Sequence, residues 1–333
     1  MSHIIRINNM FFEIRDNRYF NILNHAERIL LKPFLIKSLP EKIKQNNSYI
    51  KLNIVYINDA EPKMPPKINI SILKKIRALF PRKLPQETRD IIKYLFRRNS
   101  KLYPAISRIK EIIKSSVNIH MVLTTKIMLI FDSSSKNCII FIRESLIKNP
   151  PPSYRFYFLK FLLHSVLHCE NSGILLHASS ISIDNRGYTF IGKSGTGKTT
   201  ITELIRSGEI LSDDVTIIKH AKNRYMLYHS PWKNINNISA CRNPMKPYEL
   251  RAIFFIKQAK KTVLKRIKYT ESLKKIMQEH RLSQRIFAQD KESISSFYKF
   301  ALCLLKKVPA FILYFKKEDE FENKFKRCLR RIR

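Results

Sequence analysis

The sequence predicts an α/β protein in two parts, a domain built round a glycine-rich loop preceded by a smaller α+β region. Three observations carry that expectation. Apolar runs of strand length alternate with a helical stretch between residues 174 and 218. Only six glycines occur in 333 residues; all lie between Gly173 and Gly208, and half fall in one six-residue segment. An Asn149-Pro-Pro-Pro-Ser153 run punctuates the chain near its middle and sets the expected boundary between residues 1–150 and residues 151–333.

In the first part, His3–Ile14 and residues 49–57 read as strands, with a short helix around Asn21–Leu31 between them. Pro62, Pro65, Pro66, Pro81 and Pro85 break up the next stretch. From Gln86 to Ser115 the pattern turns helical and basic, with Ile91, Ile92, Leu95 and Phe96 at helical spacing, so residues 61–118 are read as a basic helical insertion. Residues 119–131 and 138–143 read as a hairpin joined by Asp132-Ser-Ser-Ser-Lys-Asn137. In the second part, Tyr154–Glu170 is a strongly apolar helix. After it come strand Ile174–Ile183, a turn at Asp184–Gly187, strand Tyr188–Ile191, a glycine loop, and a helix from Lys198 to Ser207. Strands at Glu209–Leu211, Val215–Ile218, Tyr225–Tyr228 and Arg251–Ile256 follow, then helix over roughly 270–308 and a late strand at Ala310–Tyr314.

Composition narrows the classes. With 44% hydrophobic and 27% charged residues the chain has the apolar content of a folded protein. Lys and Arg number 63 against 26 Asp and Glu, a net charge of +37. Such a charge draws a protein toward polyanions, although the abundance of Lys, Ile and Asn also fits an AT-rich coding sequence. The basic helical stretches of 86–115 and 259–288 are the surfaces for a polyanion or an anionic membrane surface; a solvated basic face is the plainer reading of them. The five cysteines (Cys138, Cys169, Cys241, Cys303 and Cys328) are scattered without a C-x-x-C pair, which fits a reducing cytoplasm. The longest apolar run, Phe156–Leu167, is interrupted by Lys160 and His164, so no membrane span is expected.

Gly192-Lys193-Ser194-Gly195-Thr196-Gly197-Lys198-Thr199 fits G-x-x-x-x-G-K-[ST] at every required position, and Thr200 follows. It stands after an apolar strand and opens a helix, where successive backbone N–H groups form an anion-binding concavity. Lys198 would reach the β- and γ-phosphates of ATP, and the Thr199 hydroxyl would ligate Mg²⁺. Ser212-Asp213-Asp214 follows within 16 residues of Lys198. Two adjacent carboxylates at a strand end can divide the work, one holding Mg²⁺ while the other accepts a proton; a solvated Asp-Asp turn is the bland alternative. His177 lies on the strand that leads back into the loop, where a histidine can bond phosphate, bind metal or move protons. His164 and His168 sit at i, i+4 on one helix face, a spacing zinc sites use, but with no third ligand they read as core. Trp232, the only tryptophan, reads either as core or as a cap on the nucleotide or acceptor pocket.

Taken together, His177-Ala178-Ser179, the Gly192–Thr199 loop and Ser212-Asp213-Asp214 resemble the catalytic domain of HPr kinase/phosphorylase. The loop and its Asp-Asp also resemble the nucleotide core of ATP-dependent phosphoenolpyruvate carboxykinase. The resemblance is specific over residues 173–218 and looser to about 257. It implies a mixed-sheet phosphate-loop (P-loop) domain of HPr kinase/carboxykinase type, with Lys198 as phosphate-binding lysine, Thr199 and Asp213 at the metal, Asp214 as proton acceptor and His177 as catalytic histidine. The family's Leu-Glu-x-Arg-Gly-x-Gly motif has only a partial echo in Tyr248-Glu249-Leu250-Arg251, so the chain reads as an unassigned relative rather than a true HPr kinase, and Glu249 is not assigned to the metal. The implied activity is Mg²⁺·ATP-dependent transfer of the γ-phosphoryl group to a hydroxyl, a serine of a peptide or protein partner. The alternatives are a kinase of free serine or a sugar, and a non-catalytic ATP- or nucleic-acid-binding module; self-association into a homo-oligomer is left open.

Overall fold

The computed structural model describes residues 3–7, 10–14, 31–46, 49–57, 119–123, 127–133, 136–143, 157–232, 243–283 and 291–332. Residues 21–30 of the expected first helix and the whole basic stretch of 61–118 lie outside these.

The first sheet holds β1 (His3–Ile7), β2 (Met10–Ile14), β3 (Leu35–Ile36), β4 (Ile50–Ile57), β5 (Ile119–Leu123), β6 (Ile127–Asp132) and β7 (Asn137–Arg143), with the short helix α1 (Glu41–Gln45) between β3 and β4. The strand order is β3-β1-β2-β4-β7-β6-β5. The run expected as one strand over 3–14 folds back on itself, Ile7 opposite Met10, because the polar Asn8-Asn9 pair interrupts the apolar pattern with turn-forming residues. Residues 119–131 likewise form two antiparallel strands instead of one. The hairpin expected at 132–137 is present, with Asp132 opposite Asn137.

The helix α2 (Tyr157–Cys169) joins this sheet to the second one. Leu159, Leu162, Leu163, Val166 and Leu167 are all buried on it. One apolar cluster runs from Ile5, Phe12 and Phe131 of the first sheet through this helix to Leu175, Val215 and Ile217 beyond it. Burying one such side chain stabilises the fold by roughly 1.5–3 kcal/mol, so the helix binds the two sheets through a common core.

The second sheet is built from β8 (Gly173–Ile183), β9 (Arg186–Ile191), β10 (Glu209–Ser212), β11 (Val215–Ala221), β12 (Arg224–Tyr228), β13 (Tyr248–Gln258), β14 (Val263–Arg266) and β15 (Ala310–Phe315). Its helices are α3 (Lys198–Leu204), α4 (Tyr269–Ser283), α5 (Lys291–Lys307) and α6 (Phe321–Arg330). Two hairpins turn on residues in the left-handed region, Asp184-Asn185 between β8 and β9 and Lys222-Asn223 between β11 and β12, the conformation that suits tightly twisted strand pairs. Pairings β8–β9, β9–β13, β13–β12, β12–β11 and β11–β8 close five strands into a ring. On one side α4 and α5 pack their apolar faces onto Ile174, Leu176 and Ile218. On the other, α3 and α6 cover Phe190, Phe254 and Leu313.

Within the 259–288 stretch read as a basic helix, Val263–Arg266 form strand β14 paired with β15, and the helix begins only at Tyr269; sequence reasoning also missed α6. Phe321 and Phe325 of α6, four residues apart, are fully buried and stack with ring centroids 5.7 Å apart. That spacing was readable, but it lies among ten charged residues between Lys316 and Arg330. Among the described residues no helix is long and apolar enough to cross a membrane.

Candidate functional site

The glycine loop leaves the end of β9 and closes into α3. Thr196 fastens its turn, its hydroxyl donating to the Lys193 carbonyl at 2.7 Å and its N–H to the same oxygen at 3.2 Å. Gly197 caps the helix with φ +98°, and a Cβ there would lie 2.7 Å from the Phe315 ring, so both conformation and space demand glycine. Lys193, Ser194 and Gly195 are exposed, whereas Thr199 and Thr200 are half-buried. Lys198 is buried at 7% exposure, and its ammonium donates to the Gly192 carbonyl at 2.7 Å and to that of Lys193 at 3.3 Å. The cation therefore stands inside the curve of the loop. The helix ends at Leu204, short of the expected Ser207. Seven residues make only about two turns, so attraction of an anion here rests on Lys198 and the loop amides more than on a macrodipole.

The second half of the site comes from the way β10 and β11 share one neighbour. Ser212 stands opposite Ser180 and Val215 opposite His177, so both strands run along β8 in one line, with Asp213 and Asp214 at the break between them. Their peptide groups remain paired: Ala178 N–H donates to the Asp214 carbonyl at 3.1 Å, and Asp213 N–H to the Trp232 carbonyl at 3.2 Å. Trp232 itself packs against the core and contributes this carbonyl to the site. Beneath the break, Ser212, Thr216 and Ser180 form a buried hydroxyl network, Ser212 and Thr216 both donating to the Ala178 carbonyl. A network so fully hydrogen-bonded holds the strand break in one shape.

The two carboxylates differ in environment. Asp213 is only 9% exposed, and the Thr202 hydroxyl of α3 donates to it at 3.3 Å. The Asp214 side chain is 56% exposed, and His177 Nδ1 lies 2.9 Å from its carboxylate and 3.1 Å from its carbonyl oxygen. Both partners are acceptors, so Nδ1 carries the proton. Desolvation alone would raise the Asp214 carboxyl, but the His177 hydrogen bond and the charges of Lys160 and Lys198 outweigh it and hold the group below the ordinary aspartate range. Burial pulls the Lys198 ammonium below its ordinary value, against the opposing pull of Glu279 and Asp214.

His177, Lys198, Asp213, Asp214 and the 192–200 segment are thus gathered about the middle of β8, where β9 ends and β10 gives way to β11. Glu249 is elsewhere: it pairs with Arg224 at 3.0 Å and Arg251 at 3.1 Å, six residues and about 20 Å along β13 from the register that meets the loop. Lys160 and Glu279 were missed. Lys160 sits on α2, its ammonium pulled down by burial and supported by Asp214; the signal available was a single lysine inside an otherwise apolar helix. Glu279 lies on α4, which no local pattern ties to the loop. Among the described residues no group of three or more His, Cys, Asp or Glu side chains could hold a metal on its own. His164 and His168 are half-buried, not core, with stacked rings 6.3 Å apart.

A family model described as SynChlorMet cassette protein ScmC matches residues 157–330, from the first residue of α2 to the last of α6. No curated protein matches the chain. Among solved structures, the chain is similar to the Hpr(Ser) kinase/phosphatase from Coxiella burnetii at 13% identity and a TM-score of 0.29, over 47% of this chain and 88% of that one.

Proposed function

The chain belongs to the family of SynChlorMet cassette protein ScmC, and for this member we propose, from the geometry of its site, an ATP-dependent kinase that transfers the γ-phosphoryl group to a hydroxyl, a serine of a peptide or protein. The observation that carries the reading is the pairing of an ammonium buried in a glycine loop with two carboxylates of unequal exposure beside it. Lys198, already turned onto the loop carbonyls, exchanges them for the more strongly charged phosphate oxygens. Asp214, exposed and ionised, accepts the hydroxyl proton as the acceptor oxygen bonds to the γ-phosphorus and the bond to the ADP oxygen breaks. His177 holds that carboxylate through its Nδ1–H. An exposed base favours an acceptor that arrives on a polypeptide over one enclosed in a deep pocket.

Asp213 and Thr199 suit Mg²⁺ in donor chemistry, both offering hard oxygens, and Mg²⁺ needs few protein ligands because it keeps waters and phosphates. Bound there, the ion would offset charge on the transferring phosphoryl group.

The test is transfer from γ-labelled ATP with Mg²⁺ into a cell extract fractionated by size, wild type against Lys198→Ala. Label on a macromolecular band with wild type alone is the expected result, the variant losing at least about 10²–10³-fold. Label only in the small-molecule fraction would overturn the peptide acceptor. No label despite ATP binding would overturn the kinase.

A further inference from the structure

His177 and Gly173 are four residues, about 13 Å, apart along β8, and at the Gly173 end the structure holds a cavity of about 620 Å³. That volume lies within the range of small-molecule sites, about 300–1,000 Å³. Its walls come from elements that sequence analysis left without a role. His164 and His168 of α2 form one side. Phe297, Lys299 and Phe300 of α5 form another. His220 and Tyr225 of the β11–β12 hairpin, ring centroids 5.1 Å apart, close the third. Lys307 lies at the rim, its ammonium donating to the Asn223 carbonyl at 3.2 Å and to the Asn223 side-chain oxygen.

Among the described residues that line the cavity none is acidic, while three are histidines and two are lysines. Donors therefore outnumber charged acceptors in a space walled by aromatic rings. A metal cation is a poor fit, since no described cluster has the grouping to hold one. A bare inorganic anion would leave most of the volume unfilled, because a water-sized species takes only about 30 Å³.

We propose that this cavity is a second ligand site, separate from the glycine loop, for a small organic anion: a carboxylate or phosphomonoester carried on a planar apolar body. The imidazoles and Lys299 meet the anionic group, and Phe297, Phe300 and Tyr225 stack on or edge against the body. Burial and the neighbouring Cys303 push the Tyr225 hydroxyl up to about 12, so it stays a donor across the neutral range. α2 carries both Lys160, beside Asp214, and the cavity histidines, so an occupant of the cavity touches the helix that faces the other site.

Cys303 is exposed and lines the cavity, whereas Cys328 lies away on α6. Alkylation of the full chain by iodoacetamide, read peptide by peptide, reports occupancy directly. Benzoate and phenyl phosphate are the probes, with benzyl alcohol as the neutral body and inorganic phosphate as the bare anion. At a probe concentration about four times Kd, Cys303 should react about fivefold more slowly while Cys328 is unchanged. The protection should persist in Lys198→Ala and vanish when the exposed Lys299 and His220 are both replaced by Gln. Whichever probe protects at the lower concentration identifies the anionic group. No protection by either probe up to about 10 mM, weaker than any affinity of a built site, overturns the proposal. So does equal protection by benzyl alcohol or by inorganic phosphate, or protection that disappears in Lys198→Ala.

Discussion

The middle of β8 and its Gly173 end are built on opposite principles. At His177, mid-strand, geometry is held by hydrogen bonds: a loop fixed by Thr196, a strand break fixed by Ser212 and Thr216, and a histidine fixed on Asp214. Cations and carboxylates alternate there, so each lowers the desolvation cost of the other. At the Gly173 end, the walls are aromatic rings and basic groups with no described acid among them. The first arrangement is held in shape by its own hydrogen bonds, the preorganisation that the proposed chemistry calls for. The second sets imidazoles, ammoniums and aromatic rings around open volume, the lining on which the proposed anion site rests. The difference teaches that a hydrogen-bonded site and an open basic lining are distinct features along one strand.

The contrast breaks most sharply at Asp214. Asp214→Asn should retain ATP binding and lose about 10²–10⁴-fold in transfer rate, the usual contribution of a general base, while protection of Cys303 by benzoate is unchanged. Nucleotide titration beside a transfer assay checks it, and an undiminished rate would remove Asp214 from the chemistry.

A smaller effect is expected at His177. His177→Gln removes one of the interactions that lower the Asp214 carboxyl and should cost about 10–100-fold, the range for a residue that orients another at a site. The sign of its pH effect is defined. A carboxyl held below the ordinary range stays ionised as pH falls, so in the wild type Asp214 contributes its acid limb below the usual aspartate pKa of about 3.9. Without His177 the limb moves up, and stability gained from the ionised form is lost at a higher pH. A rate loss with no shift in the limb would assign His177 a role other than holding Asp214.

Smallest on the stability scale is Gly197→Ala, a change within the glycine loop itself. The left-handed φ and the 2.7 Å approach to Phe315 should cost about 1–3 kcal/mol, measured as a lowered denaturation midpoint. The cavity at the Gly173 end should keep its probe affinity once the protein is folded.

Much of the second sheet was legible in the sequence for local reasons. Strand Ile174–Ile183, the Asp184-Asn185 turn, the glycine loop and the Asp213-Asp214 pair all follow from periodicity and from residues with special backbone preferences. Those signals act over a few residues, which is why they survive without knowledge of the fold. The hairpin hidden in 3–14 and the strand pair in 119–131 were not separated, because two short apolar strands and one long one share the same alternation. Helix α6 was passed over because its two buried phenylalanines are outnumbered by charge, and only the sheet face they cover explains them.

What the sequence by itself determined was the chemistry within reach of one strand–loop–helix: Lys198 in a loop that only glycine can turn, with a carboxylate pair shortly after. What only the tertiary structure decided was which groups from distant elements share that space. The charge of Lys160 acts on Asp214 from a helix 54 positions earlier, that of Glu279 acts on Lys198 from α4, and Glu249 is carried away along β13 to its arginines. The cavity histidines gained a meaning in the same way, when α5 and the β11–β12 hairpin came up against α2. Electrostatic coupling acts through space at 332/(ε·r), and separation in space is set by packing, which no spacing along the chain records.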